Sequence, residues 1–230
     1  MGFIWSCCIV TLSLAARGSA VSIAQLNGIN YLSPYQGQAV TNVTGIVTGK
    51  ISSGLFIQGL SHACDPRIAD GVFVYSSSLA KNASIVVGDI LTVNGYADEY
   101  RSDPSYLYSL EIGSPKVTKI VKGGQLPKPL VIGKDTLSPP TQQFSSLDEG
   151  NVFAVPNNQS LVSVVNPTLQ PDRYGMDFWQ SLSGELVTIQ EPVAIAKPNS
   201  YAETWMVGNW ATTGRNARGG LTLSYAGSQP

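Results

Sequence analysis

The chain contains little charge and a single histidine. Charged side chains make up only 13% of the 230 residues, about half the usual share of a globular protein. One histidine, His62, excludes a histidine cluster for zinc and an acid–base pair of histidines. The sequence also lacks a glycine-rich phosphate-binding loop and a dinucleotide fingerprint. Enzyme classes that depend on these motifs are therefore excluded.

Cysteine is scarce as well. Cys7 and Cys8 lie in the first 20 residues, so only Cys64 belongs to the rest of the chain. A lone cysteine is free, bonds another molecule, or pairs with a residue outside this sequence. His62, Cys64 and Asp65 share one loop. Loop neighbours have no fixed mutual geometry, so we do not expect them to form a nucleophile and its base.

The first 20 residues have the pattern of a secretion signal. Phe3 to Ala16 is an apolar run of the usual length, and residues 18–20 supply small side chains for a signal peptidase. The run is too short for a stable membrane span. We therefore predict a signal peptide at 1–20, a secreted chain from Val21 onwards, and no membrane span after cleavage.

Three Asn-x-Ser/Thr sequons follow the leader, at Asn42, Asn82 and Asn158. None has proline in the middle position, so each is a candidate for N-glycosylation in a eukaryotic secretory pathway. The alternative is chance, since a chain rich in Asn, Ser and Thr produces sequons often. The sequence predicts a glycoprotein but does not decide which sequons are used.

The charge balance bears on possible partners. Arg17 is the single charged residue of the leader, so the remaining chain carries 13 basic and 15 acidic side chains, a net charge of −2. This balance is not the electrostatic footprint of a protein that binds nucleic acid tightly.

Residues 40–112 contain five short runs rich in Val, Ile, Thr, Phe and Tyr, bounded by Gly, Asp, Asn, Pro or Ser. These features indicate strands rather than helices. Five short strands in about 75 residues suit a small Greek-key barrel of the OB type, because a β-sandwich usually needs about seven. The sequence therefore predicts a mostly β protein with an OB-like barrel at 21–121.

The remainder divides into two parts. Residues 122–170 contain repeated Pro, Gly, Ser and Asn and are predicted to be a linker of irregular structure. Residues 172–182 have the spacing of a short amphipathic helix with an aromatic face. Runs at 183–189, 204–207 and 219–225 weakly repeat the barrel pattern, so 171–230 is predicted to start a second, truncated OB-like barrel.

The ordered segments SPYQGQ, VTGIVT, LFIQG, DGVFVYS, VGDILTVNGYADEY and DFWQSLSGELVTI resemble the N-terminal region of secreted proteins of the endonuclease/exonuclease/phosphatase family. In that family an OB-like region precedes a metal-dependent nuclease domain. The resemblance implies a divalent metal ion, Mg²⁺ being the expected one, in a C-terminal catalytic domain. The motifs of that domain are missing from this sequence, so we expect the chain itself to be non-catalytic and to bind no cofactor.

Binding is the remaining function class. OB barrels bind single strands by stacking bases on exposed aromatic rings beside basic groups. One concentration of aromatic residues with a cation beside it gives the candidate nucleic-acid-binding residues: Phe73, Tyr75, Tyr96, Tyr100, Arg101 and Tyr106. The structural alternative is that these rings pack the barrel core and rim.

Two other functions fit the same features. One is an extracellular carbohydrate- or cell-wall-binding β module, and the other is a structural spacer. The adjacent acidic pairs Asp98-Glu99 and Asp148-Glu149 are predicted to be solvated.

Overall fold

The computed structural model describes residues 20–141, 143–148, 159–212, 214, 217 and 220–221. Its helices and strands are, in chain order, α1 (Ile23–Asn27), β1 (Ala39–Ile51), β2 (Gly54–Gln58), β3 (Gly71–Tyr75), α2 (Ser77–Lys81), β4 (Ile90–Tyr100), β5 (Ser109–Val121), β6 (Leu130–Val131), α3 (Gln159–Val165), α4 (Gly175–Gln180), β7 (Val187–Thr188), β8 (Val193–Ala194) and β9 (Met206–Val207).

The first five strands close into a barrel in the order β1-β2-β3-β5-β4. β1 is long enough to pair with β2 at one end and with β4 at the other, both antiparallel. β3 pairs in parallel with β5, and the helix α2 lies in the connection between β3 and β4. This is the Greek-key arrangement of an OB-like barrel. The predicted mostly β fold and its barrel are confirmed.

Alternation of side chains along the strands builds the barrel core. Leu55 and Ile57 in β2, Val72 and Val74 in β3, and Leu91 in β4 are all at most 2% exposed. Side chains on a strand alternate between the two faces, so the residues between these positions lie on the outside of the barrel. The same pattern fixes the register, because a slip of one residue would expose the whole core set.

Helix α1 is joined to the barrel by polar contacts. Ser22 and Gln25 form a capping box, each side chain bonding the backbone N–H of the other residue. The side-chain amide of Asn27 donates to the carbonyl oxygens of Ala69 and Gly71 at 2.9 and 3.0 Å. Because this amide bridges the helix and β3, the short helix is held in place despite its low intrinsic stability.

The predicted linker is more ordered than its composition suggested. It contains β6 and α3, and a second apolar cluster joins it to the segment before β1. Tyr31 and Leu32 pack there with Val162, Leu169 and Met176. The short elements of this segment are stabilised by tertiary packing rather than by local propensity.

The strands predicted for the start of a second barrel pair differently from the barrel pattern. β7 and β9 lie within two of the three predicted strands, while residues 219 and 222–225 of the third lie outside the described residues. β7 pairs in parallel with β6 from the predicted linker, and β9 pairs with β8. Runs of two paired residues bury too little surface to close a sheet. Among the described residues, therefore, only β1–β5 form a barrel.

The segment after α4 lies directly on the outside of β2 and β3. The backbone N–H of Leu186 donates to the side chain of Gln58 at 3.0 Å, and Glu185 accepts from the backbone of Asp70 at 2.8 Å. A Cβ atom added to Gly71 would lie 2.1 Å from the carbonyl carbon of Gly184. This approach requires glycine at position 71.

The predicted helix at 172–182 is confirmed over its central part as α4. Phe178 is buried, whereas Trp179 is 44% exposed and contacts Phe178 and Trp210 edge-on. Among the described residues, no helix has the length and apolar character needed to cross a membrane.

Candidate functional site

The outer surface of β3, β5 and β4 presents a row of aromatic side chains. Phe73 and Tyr75 alternate with buried Val72 and Val74, so both rings point away from the core. Tyr96 and Tyr100 do the same in β4, where they alternate with buried positions. Tyr75, Tyr96 and Tyr100 are each at least 50% exposed. We call this surface, with the intervening residues of β5, the barrel face.

Four of the predicted site residues therefore lie on one surface. Phe73 is half-buried and packs against Phe56 of β2, with ring centroids 4.9 Å apart. The structural alternative of rim packing thus holds for Phe73, while the three tyrosines of the barrel face remain available to a ligand.

The strand register places two carboxylates between these rings. Phe73 in β3 is opposite Glu111 in β5, and Glu111 is opposite Asp98 in β4. Two residue pairs along, and on the same face, Tyr96 is opposite Gly113. The central strand of the barrel face therefore carries an acidic side chain and a glycine, flanked by aromatic residues on both sides.

Glu111 is the unusual member of this set. Only 7% of the residue is exposed, yet its carboxylate accepts no hydrogen bond from the described residues. Its burial raises the pKa above the usual range, and the negative charge of Asp98 raises this pKa further. The residue is mostly covered, but its carboxylate oxygens are not among the fully buried side-chain oxygens that lack a partner. They therefore keep a path to the surface, where a ligand can donate to them.

Gly113 leaves space beside Glu111. A Cβ atom built at Gly113 would meet only Asp98 Cβ and the carbonyl oxygen of Tyr96, each at 3.9 Å. β3 ends at Tyr75, one residue beyond its last registered pair with β5, which is Val74 with Ile112. The barrel face is therefore open at Gly113, the residue opposite Tyr96.

The remaining two predicted residues, Arg101 and Tyr106, lie on the loop from β4 to β5. The guanidinium of Arg101 is 4.5 Å from the ring centre of Tyr108 and donates to the carbonyl oxygen of Pro104 at 3.1 Å. Tyr106 is 58% exposed. The positive charge of Arg101 therefore contacts the ring of Tyr108 and the carbonyl oxygen of Pro104 within the same loop.

The prediction for the Asp98-Glu99 pair is half wrong. Asp98 is exposed, but Glu99 is buried and accepts from the backbone N–H of Ser33 at 2.7 Å. Asp148 is also buried, where its carboxylate accepts from Phe144 and Ser145. Neighbours on a strand point to opposite faces, so one member of the first pair had to turn inward.

A second polar cluster lies at the other end of β3. His62 Nδ1 is 3.2 Å from Asp70 Oδ2, and both residues line a cavity of about 390 Å³. Glu185 lies behind Asp70, and burial raises the pKa of both carboxyls. A histidine oriented by a carboxylate can act as a base for a nucleophile. The described lining of the cavity offers the hydroxyl groups of Ser22, Thr44 and Ser61 and no thiol group. Cys64 is free and exposed.

No group of three or more His, Cys, Asp or Glu residues that suits a metal ion occurs among the described residues. The divalent metal expected for a catalytic domain stays a prediction. Asn42 and Asn82 are both exposed, and Asn42 occupies a left-handed conformation at a bulge of β1. Use of these sequons stays a prediction. Asn158 and most of the predicted leader lie outside the described residues.

Comparisons with known proteins give little guidance on function. Residues 131–230 match the model of a family described as a domain of unknown function (DUF8508). No curated protein matches the chain. A solved structure, that of the hypothetical protein ygiW from E. coli, is 11% identical, with 45% of this chain and 94% of that chain covered. Its TM-score is 0.30, too low to carry any argument.

The family match starts in β6, within the predicted linker, and extends to the end of the chain. It covers less than half of the sequence and leaves the barrel of β1–β5 unmatched. The resemblance to the endonuclease/exonuclease/phosphatase family and the domain boundaries stay predictions.

Sequence analysis missed Glu111, Asp98 and Gly113 as members of the site. Nothing in the sequence marked Glu111, because an acidic residue between Leu110 and Ile112 fits the ordinary alternation of a strand with one buried face. Its position next to Phe73 could not be found, because it depends on the parallel pairing of β3 with β5.

Proposed function

We propose that the protein is a non-catalytic carbohydrate-binding module and that its barrel face is the binding site. The observation that carries this proposal is Glu111, a mostly covered residue whose carboxylate accepts no hydrogen bond from the described residues, set beside exposed tyrosine rings. Sugars carry groups that complement both the carboxylate and the aromatic rings of this surface. Their hydroxyl groups donate to carboxylates, and their apolar ring faces stack on aromatic side chains.

The fold supports the same proposal. In OB barrels the face of the second and third strands, with the loops that follow the first and fourth strands, binds oligonucleotides or oligosaccharides. The barrel face shares β3 with that surface and ends at the loop between β4 and β5. Charge separates these two ligand classes. A phosphate on the barrel face would lie beside Asp98 and Glu111, and like charges at this distance repel. A sugar chain without phosphate meets no such penalty.

Single-stranded nucleic acid is the second candidate, as expected for the N-terminal segment of a nuclease-like protein. Arg101 and Tyr106 favour it, because they place one cation and one exposed ring at the end of the barrel face. In this arrangement the nucleic-acid strand must follow the loop between β4 and β5 and stay away from the carboxylates of Asp98 and Glu111.

We expect Tyr96→Ala to weaken binding of a sugar oligomer about tenfold, or about 1.4 kcal/mol. The ring is 55% exposed, so its removal should change folding stability by less than about 0.5 kcal/mol. The measurement is isothermal titration of the protein with cello-oligosaccharides and N-acetylglucosamine oligomers, and with single-stranded DNA of comparable length.

Tyr201→Ala is the matched control, since Tyr201 is 83% exposed and lies outside the barrel. Its affinity for the oligomer should equal that of the unchanged protein. DNA binding that is stronger than sugar binding and lost in Arg101→Ala would favour the second candidate. Absence of binding to all three probes would favour the spacer.

A further inference from the structure

The two carboxylates of the barrel face are directly opposite each other. Asp98 and Glu111 form a registered pair of the antiparallel strands β4 and β5. Side chains in such a pair have Cβ atoms about 5 Å apart, and like charges in this position destabilise a sheet. The pairing therefore costs free energy in the unliganded protein.

No cation of the described residues offsets this charge. The ion pairs of the described residues involve Asp65, Asp70, Asp89 and Asp135. Neither Asp98 nor Glu111 forms an ion pair or accepts a hydrogen bond from the described residues, although 93% of Glu111 is buried. Two facing carboxylates without a counter-charge repel each other, and a cation bound between them would reduce that repulsion.

The rings around the pair suit an organic cation. Phe73 is next to Glu111 on one side, Tyr96 is opposite the open position at Gly113, and Tyr75 is the exposed last residue of β3. Aromatic faces attract ammonium groups, and this attraction strengthens where water is excluded. Carboxylates and rings together favour an amine on an apolar skeleton over a bare metal ion, which prefers a shell of oxygen ligands.

We infer that the Asp98–Glu111 pair is an ammonium-binding subsite, and that the barrel face prefers sugar chains with free amino groups over their N-acetylated counterparts. The inference rests on the proposed carbohydrate-binding function and names its ligand class. The ammonium group lies between the carboxylates, and the sugar rings continue over Tyr75 and Tyr96.

The test compares two oligomers of equal length, one of glucosamine and one of N-acetylglucosamine, by isothermal titration below the pKa of the sugar amine. We expect the glucosamine oligomer to bind about tenfold tighter to the unchanged protein. Glu111→Gln keeps the shape and an acceptor oxygen but removes the charge. It should reduce the preference to about twofold or less, with the affinity for the acetylated oligomer almost unchanged.

Glu191→Gln is the control, because Glu191 is exposed and lies in the connection between β7 and β8. It should keep the full preference for the glucosamine oligomer. If Glu111→Gln fails to fold, Asp98→Asn tests the exposed member of the same pair and should also reduce the preference. The preference should fall with added salt, as expected for an interaction between charges.

Equal binding of the two oligomers to the unchanged protein would overturn the ammonium subsite and leave the carbohydrate proposal standing. A preference that survives both Glu111→Gln and Asp98→Asn would overturn it as well. Failure of both oligomers, and of cello-oligosaccharides, to bind the folded protein would overturn the carbohydrate proposal itself.

Discussion

Gly71→Ala should lower the free energy of unfolding by about 3 kcal/mol. The added methyl group would lie 2.1 Å from the carbonyl carbon of Gly184, 2.3 Å from its oxygen and 2.6 Å from the backbone nitrogen of Glu185. All three are backbone atoms, so no side chain can rotate away. The segment at 184–186 must move off the barrel, which breaks its bonds to Gln58 and Asp70.

Gly113→Ala is the matched control, since Gly113 is also a strand glycine on the outside of the barrel. Its nearest neighbours would be 3.9 Å from the new Cβ atom, and its φ angle is negative. We expect equal or slightly higher stability, by about 0.5 kcal/mol, because alanine restricts the unfolded chain. Chemical denaturation measures both variants. Equal stability of Gly71→Ala and the unchanged protein would show that 184–186 does not pack on β3.

Glu99→Gln should stabilise the protein above neutral pH and have little effect in acid. Burial, with a smaller contribution from the charge of Asp98, raises the pKa of Glu99 from 4.5 to about 7, while the hydrogen bond from Ser33 opposes this shift. The folded protein therefore holds this proton more tightly than the unfolded chain. Stability is highest below pH 4.5, falls as the pH rises to about 7, and stays lower above it.

A pKa difference of this size corresponds to a loss on the order of 3 kcal/mol above neutral pH. Glutamine resembles the protonated acid and keeps an acceptor for Ser33, so Glu99→Gln should flatten this part of the pH profile. Thermal unfolding across the acidic and neutral range measures the effect, with Glu191→Gln as the exposed control. If the stability of Glu99→Gln changed with pH in the same way as that of the unchanged protein, the burial of the Glu99 carboxyl group would be contradicted.

The barrel could be predicted from sequence because its signal is local. Alternation such as Leu91-Thr92-Val93-Asn94 marks a strand with one buried face, and glycine or polar residues mark each end. In the described part of 171–230 similar runs occur, but the strands there have only two residues each. A local sequence pattern does not specify how many residues of a strand are paired or which strand is its partner.

The candidate site could be predicted only in part. The aromatic residues follow from alternation within single strands, and four of the six predicted residues share the barrel face. The carboxylate pair depends on pairing across strands that are distant in sequence, including the parallel contact of β3 with β5. Glu111 could therefore be placed beside Phe73 only from the structure.

The most direct test of the carbohydrate-binding face is a nuclear magnetic resonance titration of the ¹⁵N-labelled protein with a glucosamine oligomer. The backbone amide signals of Phe73, Tyr75, Tyr96, Glu111 and Gly113 should shift together in a saturable manner. Signals around His62 and the cavity near α1 should stay in place. Shifts confined to the cavity, or no shifts while the protein remains folded, would contradict the barrel face as the binding site.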